Sequence, residues 1–557
     1  MEPAVMNEKG TDPESTSTGD VAISSSTLLT GTRLALVFSA FLISFALIAL
    51  DQTILATALP KIASHFDAVS QLSWIASAYF LPQACTHTAA FMLFFGRVLS
   101  IAPAKAVFLF SVSIFELGSL LCAISPSVPV LIFGRAVSGF GASGLWVSIM
   151  SIIARVTTIT QRPILMGLFG ALFAVASIVG PLIGGGFADH VSWRWCFYIN
   201  LPPQLGPVSM LAIIIFLPAQ PPLVHESSHF QRWLGLDWIG TFLSLSFVVM
   251  LLLALQWGGN TKPWSDPAVI VCLVLFAVLL VVFLLWEYKR GPTAILPLKM
   301  LLRKNLLGAF IESAFIQLAF VAAVYYLVGS SLPIARNPSP TGIFQPLLYQ
   351  VHGHSATRSG IDILPFMLSG VIANLAAGSI ASAKGLVWPF LLLFPLIAAA
   401  GFGLLFTASL DSGSGSLLGF QILVGVGLGA AVQNTLVVAQ AEYVNEEALV
   451  PLATSLITFM QCVGGSVGLA ISGSISTSQL RTQFAHYTSE LSPQEISTVL
   501  SSVEAIFSLP HDQIELAQRA YFAAIDKVMI AGVPFTVFAS ISALLISRRR
   551  LQLKSAP

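Results

Sequence analysis

Apolar stretches long enough to cross a lipid bilayer recur along nearly the whole of this 557-residue chain. A helix of about 20 apolar residues spans the roughly 30 Å hydrocarbon core of a membrane, and it bonds all of its own backbone polar groups. Only 9% of the residues are charged and 56% are hydrophobic, whereas an ordinary soluble domain is about 25% charged. We therefore predict an all-α polytopic membrane protein.

The pattern predicts fourteen transmembrane helices. An even number places both termini on one side, and the clustering of Lys and Arg in residues 289–304 and 548–550 indicates that this side is the cytoplasm. The predicted spans are residues 34–55, 72–95, 106–124, 128–150, 163–186, 195–216, 237–257, 267–286, 306–328, 360–382, 389–408, 416–438, 453–474 and 527–547.

Two glycine-dense segments, "GRAVSGFGASG" in span 4 and "GVGLGAAVQN" in span 12, indicate an internal repeat. Weak repeats of this kind are typical of secondary transporters, whose binding site lies between the two halves. We predict two six-helix halves, residues 33–216 and 306–547, with two inserted helices in residues 217–305. Polar residues 1–32 are predicted to be a disordered cytoplasmic tail, and residues 548–557 a second cytoplasmic tail.

Span 5 contains the helix breakers Gly180, Pro181, Gly184 and Gly185 within a strongly apolar run. Small residues let transmembrane helices approach closely, and backbone groups released by a bend must be bonded by a neighbouring helix. This helix is therefore expected to be buried against a partner where the two move relative to each other. The alternative is a tight crossing that does not move.

Ionisable residues within spans are costly and are functional candidates. Glu116 in span 3 and Arg135 in span 4 are expected to lie within a helical turn of each other, so that Glu116 takes up a proton while Arg135 modulates it. Asp51, near the outer end of span 1, is grouped with them as a proton-coupling candidate, and a role in holding an outer gate is the other interpretation. For each, a fixed structural contact is the alternative. Glu312 is expected to be solvated near the inner interface.

A cavity for varied small molecules needs aromatic and amide walls. Ordinary packing is the alternative for each candidate, and no metal or cofactor is predicted. The candidates by depth are Tyr79, Gln83, Trp146, Gln317, Tyr325, Asn374, Gln433 and Asn434.

Several motifs together resemble one transporter family. "ASIVGPLIGG", "LDQTILATALPKI", "GRAVSGFGASG", "WRWCFYINLP" and "SATRSGIDILP" are similar to motifs of the fourteen-span drug:proton antiporter branch of the major facilitator superfamily, especially its fungal toxin and multidrug efflux pumps. The resemblance covers roughly residues 34–547. It implies two six-helix halves with two inserted central helices, transport by alternating access, and a role in proton coupling for Arg135.

The segment after span 2 departs from the family's usual motif. Gly96 and Lys105 match it, and we expect both to belong to a conformational motif in a cytoplasmic turn. Ser100 replaces the usual Asp and Pro103 the second Gly, which argues against the usual charge lock at the inward gate.

The leading functional prediction is proton-coupled export of small, largely apolar molecules by a plasma-membrane protein that acts as a monomer. The chain contains no phosphate-binding G-x-x-x-x-G-K-[ST] loop, which argues against an ATP-driven pump. We find no cluster of catalytic residues and no basic excess for nucleic acid, since the net charge is +1. The alternatives are uptake or vacuolar transport of cations or siderophores, and a sensor that does not transport.

Residues 328–345, "VGSSLPIARNPSPTGIFQ", lie between "AVYYL" at the end of span 9 and "PLLYQ". In the family that this chain resembles, these two segments follow each other almost directly. The segment is either a retained in-frame intron or a true external loop, which costs little because loop-closure entropy grows slowly with length. In both cases its deletion is expected to leave expression and efflux intact.

Overall fold

The computed structural model describes residues 28–66, 86–201, 206–218, 233, 235–259, 262–327, 364–408, 414–486 and 509–548. The predicted tails are therefore described only in residues 28–32 and in residue 548, and the 328–345 segment lies outside the described residues. Within the described part, regular structure is helical apart from one isolated bridge between Gly258 and Lys262. Eleven of its helices are long and apolar enough to span a membrane, and three shorter apolar helices accompany them. The predicted all-α membrane architecture is confirmed.

We number the longer helices in chain order and leave two four-residue helices, Trp195–Tyr198 and Leu298–Leu301, unnumbered. The numbered helices are α1 Gly31–His65, α2 Thr86–Ile101, α3 Ala104–Ala123, α4 Val128–Val156, α5 Arg162–His190, α6 Gly206–Phe216, α7 Trp238–Trp257, α8 Pro267–Arg290, α9 Lys304–Leu327, α10 Leu364–Lys384, α11 Trp388–Phe406, α12 Ser414–Val432, α13 Asn434–Glu442, α14 Val450–His486 and α15 His511–Ala543.

Several predicted helix ends were wrong. The predicted turn after span 2 is mostly helix: α2 continues to Ile101 and α3 begins at Ala104, so Gly96 and Lys105 lie in helices. Pro103, which has no backbone N–H and accommodates the first turn of a helix, marks the boundary. Span 12 divides at Gln433 into α12 and α13, and α15 begins sixteen residues before the predicted start at 527. Hydropathy marks the part of a helix that lies in lipid and not its extension into water.

Helix starts follow ordinary capping chemistry. The Asp237 carboxylate accepts a hydrogen bond from Gly240 N at 2.9 Å at the start of α7, and the Asp266 carboxylate accepts one from Ala268 N at 2.8 Å at the start of α8. These bonds satisfy backbone donors that have no partner within the helix.

The helices form an N-terminal bundle (α1–α6) and a C-terminal bundle (α9–α15), with α7 and α8 packed on each other beside α2. The two glycine-dense segments serve packing within their own bundles. A Cβ at Gly141 of α4 would lie 2.4 Å from Phe115 N of α3, and one at Gly429 of α12 would lie 2.2 Å from Gly370 O of α10. The bundles contact each other mainly through α2 with α14 and α5 with α10, and to a smaller extent through α4 with α14 and α5 with α13.

Candidate functional site

A buried ion pair joins α1 to α4. Arg135 Nη1 lies 2.8 Å from both carboxylate oxygens of Asp51, and each residue is only 5% exposed. Removing two charges from water is costly, and close mutual pairing is what compensates for it. Among the described residues, this pair is the ion pair that links α1 to α4.

Two described residues of the "WRWCFYINLP" motif lie beside this pair. Asn200 Nδ2 lies 3.5 Å from Asp51 Oδ1 and donates to Ser119 Oγ of α3 at 3.3 Å. The Phe197 ring centroid lies 5.9 Å from Arg135 Cζ, within range of a cation–π contact. The motif therefore positions an amide and an aromatic face around the pair, a function that spacing along the chain did not predict for Asn200.

The expected pairing of Arg135 with Glu116 was wrong. Glu116 is half-buried, its Oε1 has no hydrogen-bond partner among the described residues, and its neighbour is the start of α6. A Cβ at Gly206 would lie 1.6 Å from Glu116 Oε1. Ser119, one helical turn along α3, points to the Asn200 side of the helix instead. The direction of the Glu116 side chain around α3 was not available from the sequence.

The glycine run of span 5 stays helical, since α5 extends from Arg162 to His190. A Cβ at Gly180 would lie 2.0 Å from Thr53 Oγ1 and 3.1 Å from Ile54 N of α1. Thr53 Oγ1 donates to Ala176 O at 3.0 Å across the same crossing. Gly184 and Gly185 are buried in α5, and nothing is described of the Pro181 side chain. The Gly180 contact therefore lies within the N-terminal bundle.

Other glycines form the contact between the bundles. A Cβ at Gly96 of α2 would lie 2.1 Å from Ser455 Oγ of α14, and one at Gly378 of α10 would lie 2.6 Å from Pro163 O of α5. A Cβ at Gly170 would meet the buried Asn374 amide nitrogen at 2.4 Å. All these residues lie at the same end of the assembly, where α2 and α10 end and α5 and α14 begin. We call this end the closed end.

Cations at the closed end cap helices. Lys105 Nζ donates to the carbonyls of Ile214 and Leu217 at 2.9 and 2.7 Å, at the end of α6. Arg155 Nη2 donates to Leu99 O of α2 at 3.2 Å. Both satisfy carbonyls at helix C-termini, where positive charge is stabilising. Ser100, at the position of the usual Asp, only donates to Arg97 O at 2.7 Å in its own helix.

The cavity candidates fall in different surroundings. Trp146 is half-buried, with ring centroids 4.8 Å from Phe45 and 5.7 Å from Phe169, so α1, α4 and α5 share an aromatic cluster. Gln317 lies beside Gly465, whose Cβ would be 3.3 Å from its Cγ. Tyr79 and Gln83 lie outside the described residues, as does the side chain of Tyr325.

At the break between α12 and α13, side chains donate the hydrogen bonds that the Val432 carbonyl accepts. Thr435 Oγ1 donates to it at 2.9 Å and Gln461 Nε2 of α14 at 3.2 Å. Gln433 is half-buried at the break, and Asn434 Nδ2 donates to Ala430 O at 2.7 Å. Asn434 therefore stabilises the break, and Gln433 has the more accessible side chain of the two.

Two features were missed by sequence reasoning. Glu312, expected to be solvated, is 0% exposed in α9. The second feature lies where the start of α7 meets the end of α8. There the buried Asp237 carboxylate accepts a hydrogen bond from Trp286 Nε1 at 2.7 Å, and the Glu287 carboxylate accepts one from Leu296 N at 2.7 Å. An Asp followed by a long apolar run is a signal of a helix start, so the capping role of Asp237 could have been predicted from the sequence. Its hydrogen bond from Trp286 of α8 could not, because that contact depends on how the two helices pack.

Two bundles of apolar helices that contact each other around glycines, with a buried ion pair in one bundle, are typical of membrane transporters. A sequence model described as Major Facilitator Superfamily matches residues 41–469, and the chain belongs to this superfamily.

Relatives and solved structures agree with this assignment. The MFS-type transporter astH of Aspergillus oryzae is 35% identical over 517 residues, which cover 92% of this chain and 86% of that protein. The MFS-type efflux pump MFS1 of Arthroderma benhamiae is 34% identical over 502 residues, covering 90% and 88%. The human organic anion transporter MFSD10 (TETRAN) shares the fold with a TM-score of 0.55 at 13% identity, over 91% of this chain and 100% of that one.

Proposed function

We propose that this chain is a proton-coupled exporter of small, largely apolar molecules that works by alternating access. The observation that carries this proposal is the buried Asp51–Arg135 pair. The proposal includes fourteen spans, counted as the eleven long and three shorter apolar helices. It also includes halves at residues 33–216 and 306–547, inserted helices in 217–305, cytoplasmic termini, the plasma membrane and a monomeric state.

The proposed chemistry is protonation of Asp51. As a carboxylate, Asp51 is held by Arg135 Nη1 at 2.8 Å. A proton converts it to a neutral acid, which no longer compensates the buried guanidinium, so the packing of α1 on α4 loses its main electrostatic contact. Protonation of Asp51 therefore destabilises the arrangement in which α1 and α4 are held by the ion pair, relative to an arrangement in which they are not. A ligand shifts a conformational equilibrium only when it binds the two states with different affinity, and the proton meets this requirement. In the proposed mechanism Arg135 releases the proton by favouring the carboxylate.

The pair is distant from the closed end. α1 begins at the closed end, since Leu29 N donates to Val156 O at 2.9 Å at the end of α4, just before α5 begins. Asp51 lies twenty residues after the first residue of α1, about 30 Å along the helix. With cytoplasmic termini, the closed end is the cytoplasmic end, and we assign this conformation to the part of the cycle in which the inner side is shut. In the proposed cycle, external protons reach Asp51 when the outer side opens to water while the inner side is shut. Proton entry would favour the opposite, inward-open arrangement, in which the substrate is loaded.

Glu116 stays in the proposal as an accessory proton acceptor, because Oε1 of its half-buried carboxyl has no hydrogen-bond partner among the described residues. The aromatic cluster of Phe45, Trp146 and Phe169 supports an apolar substrate class, since aromatic walls bind varied apolar shapes. The name of the Arthroderma relative, an efflux pump, supports the export direction.

The test uses purified protein in lipid vesicles with rhodamine 6G as the probe and an imposed pH gradient. Gradient-driven dye movement that stops on addition of a protonophore is expected. Movement that is unchanged when the gradient is collapsed would contradict proton coupling.

A further inference from the structure

Glu312 is a fully buried carboxyl group in α9 of the C-terminal bundle. It is 0% exposed, and neither of its side-chain oxygens has a hydrogen-bond partner among the described residues. The proposed coupling site, Asp51 with Arg135, lies in the other bundle, so Glu312 is a separate acidic site.

Contacts on either side define the face of α9 that carries Glu312. Asn305 Oδ1 accepts from Ser547 N at 2.7 Å, a Cβ at Gly308 would lie 3.0 Å from Ser542 O, and the Phe315 and Phe538 rings stack at 5.5 Å. The two helices are antiparallel, since the α15 residue numbers fall as the α9 numbers rise. Glu312 follows Gly308 by four residues and precedes Phe315 by three, so it lies on the same face. It is therefore placed against α15 between the levels of Ser542 and Phe538.

No charge on the helices packed against α9 is placed to pair with Glu312. In α14 its level is that of Cys462, since Gly464 packs on Ala314 and Gly468 on Leu318. On α15 the nearest charged residues, Asp526 and Lys527, precede Phe538 by at least 11 positions, about 17 Å. α12 contains no charged residue.

The other charges near α9 lie towards the closed end. Glu442 of α13 accepts from Asn305 Nδ2 at 2.7 Å, seven positions and about 10 Å before Glu312. Lys299 and Arg303 precede α9 altogether.

An isolated buried carboxylate is strongly unfavourable, and such a group binds a proton instead. Even as a neutral acid, Glu312 has side-chain oxygens without a hydrogen-bond partner among the described residues. An apolar side chain of similar size would therefore stabilise this conformation at least as well as Glu312 does. The polar residues Asn305, Glu442 and Ser547 lie between it and the closed end, where the bundles must separate during transport.

We propose that Glu312 is a second proton-carrying residue, which holds a proton while the closed end is shut and releases it when that end opens to water. This proposal rests on the proposed proton-coupled function and adds a site in the C-terminal bundle. The step is a simple transfer: the carboxyl O–H bond breaks, the proton leaves to water at the opened end, and after that end has closed the carboxylate takes up a new proton that enters from the opposite side of the membrane.

The test compares wild type with Glu312→Gln, which has the shape of the neutral acid and cannot release a proton. The matched control is Glu515→Gln in α15, whose side chain is 68% exposed and pairs with Arg519 at 2.6 Å. All three proteins are placed in vesicles with rhodamine 6G. We expect Glu312→Gln to insert and fold normally and to exchange dye across the membrane without a gradient, but to lose at least tenfold in pH-gradient-driven accumulation. The control should keep both activities.

A second measurement follows the proton itself. Infrared spectra of the purified protein near neutral pH should contain the C=O stretching band of a protonated carboxyl, which Glu312→Gln reduces and Glu515→Gln does not. Normal gradient-driven accumulation by Glu312→Gln, or an unchanged carboxyl band, overturns the proposal while leaving the Asp51 mechanism intact. If the wild-type protein moves the dye at the same rate with and without the gradient, the proposed function is wrong. The proposed role of Glu312 in coupling is then wrong as well.

Discussion

At the residue scale, the Asp51–Arg135 pair shows why a charge inside a membrane protein needs its partner. Both side chains are almost completely buried, with Asn200 beside Asp51 and the Phe197 ring beside Arg135. A buried pair contributes little net stability compared with apolar packing, but removal of one partner leaves an uncompensated charge. Stability and coupling are therefore separable by changing one partner or both.

Arg135→Ala is expected to destabilise the protein by about 3–5 kcal/mol, because Asp51 is left unpaired in a dry site. The double variant Asp51→Asn with Arg135→Gln removes both charges at nearly constant volume, and it should recover most of the thermal stability in detergent. Neither variant should transport rhodamine 6G in response to a pH gradient. Gradient-driven transport by the stable double variant would show that the pair is only structural.

At the element scale, glycine decides how closely helices cross. α1 and α5 approach so closely at Gly180 that an added Cβ would overlap the Thr53 hydroxyl, and the Thr53–Ala176 hydrogen bond holds the same crossing. A larger residue must push the helices apart, since in lipid the attraction between helices depends on close packing.

Gly180→Leu is therefore expected to abolish transport and to lower the thermal stability, because part of its clash is with backbone at Ile54 N. Ala176→Gly makes the side chain at this crossing smaller, so α1 and α5 can still approach closely, and this variant should transport like wild type. Membrane insertion, dye efflux and melting temperature in detergent are measured for both. Wild-type efflux by Gly180→Leu would show that α1 and α5 tolerate separation.

At the scale of the whole molecule, two bundles meet at the closed end through glycines, and this contact must open in any alternating-access cycle. At Gly378 the approach is to backbone, since a Cβ would lie 2.6 Å from Pro163 O. A side chain there has no flexible neighbour that could give way. Gly403 of α11 offers a matched control, because nothing lies within 4 Å of its Cβ position.

Gly378→Leu is expected to hold the closed end apart, whereas Gly403→Leu should leave it shut. Spin labels on cysteines at Thr158 and Lys384, exposed positions near this end of each bundle, report the separation in a background without native cysteines. The distance distribution should shift to longer values for Gly378→Leu only. Identical distributions for the two variants would place the moving contact elsewhere.

The sequence by itself determined the membrane location, the helical architecture and the superfamily. These depend on properties that neighbouring residues share: apolar runs of helical length and glycine-dense motifs in a fixed order. It also identified Asp51 and Arg135 as costly charges within spans, because depth follows from counting along a helix.

Only the tertiary structure decided which residues meet. Arg135 bonds Asp51, 84 positions away, and not Glu116, and the glycines that join the bundles are Gly96 and Gly378 rather than Gly180. Glu312 has no charged partner because α14 and α15 happen to bring none to its level. The direction of a side chain around its helix, and the helix that it faces, are set by packing between segments far apart in the chain. Hydropathy records how deep a residue lies in the membrane, but only packing determines which helix it faces.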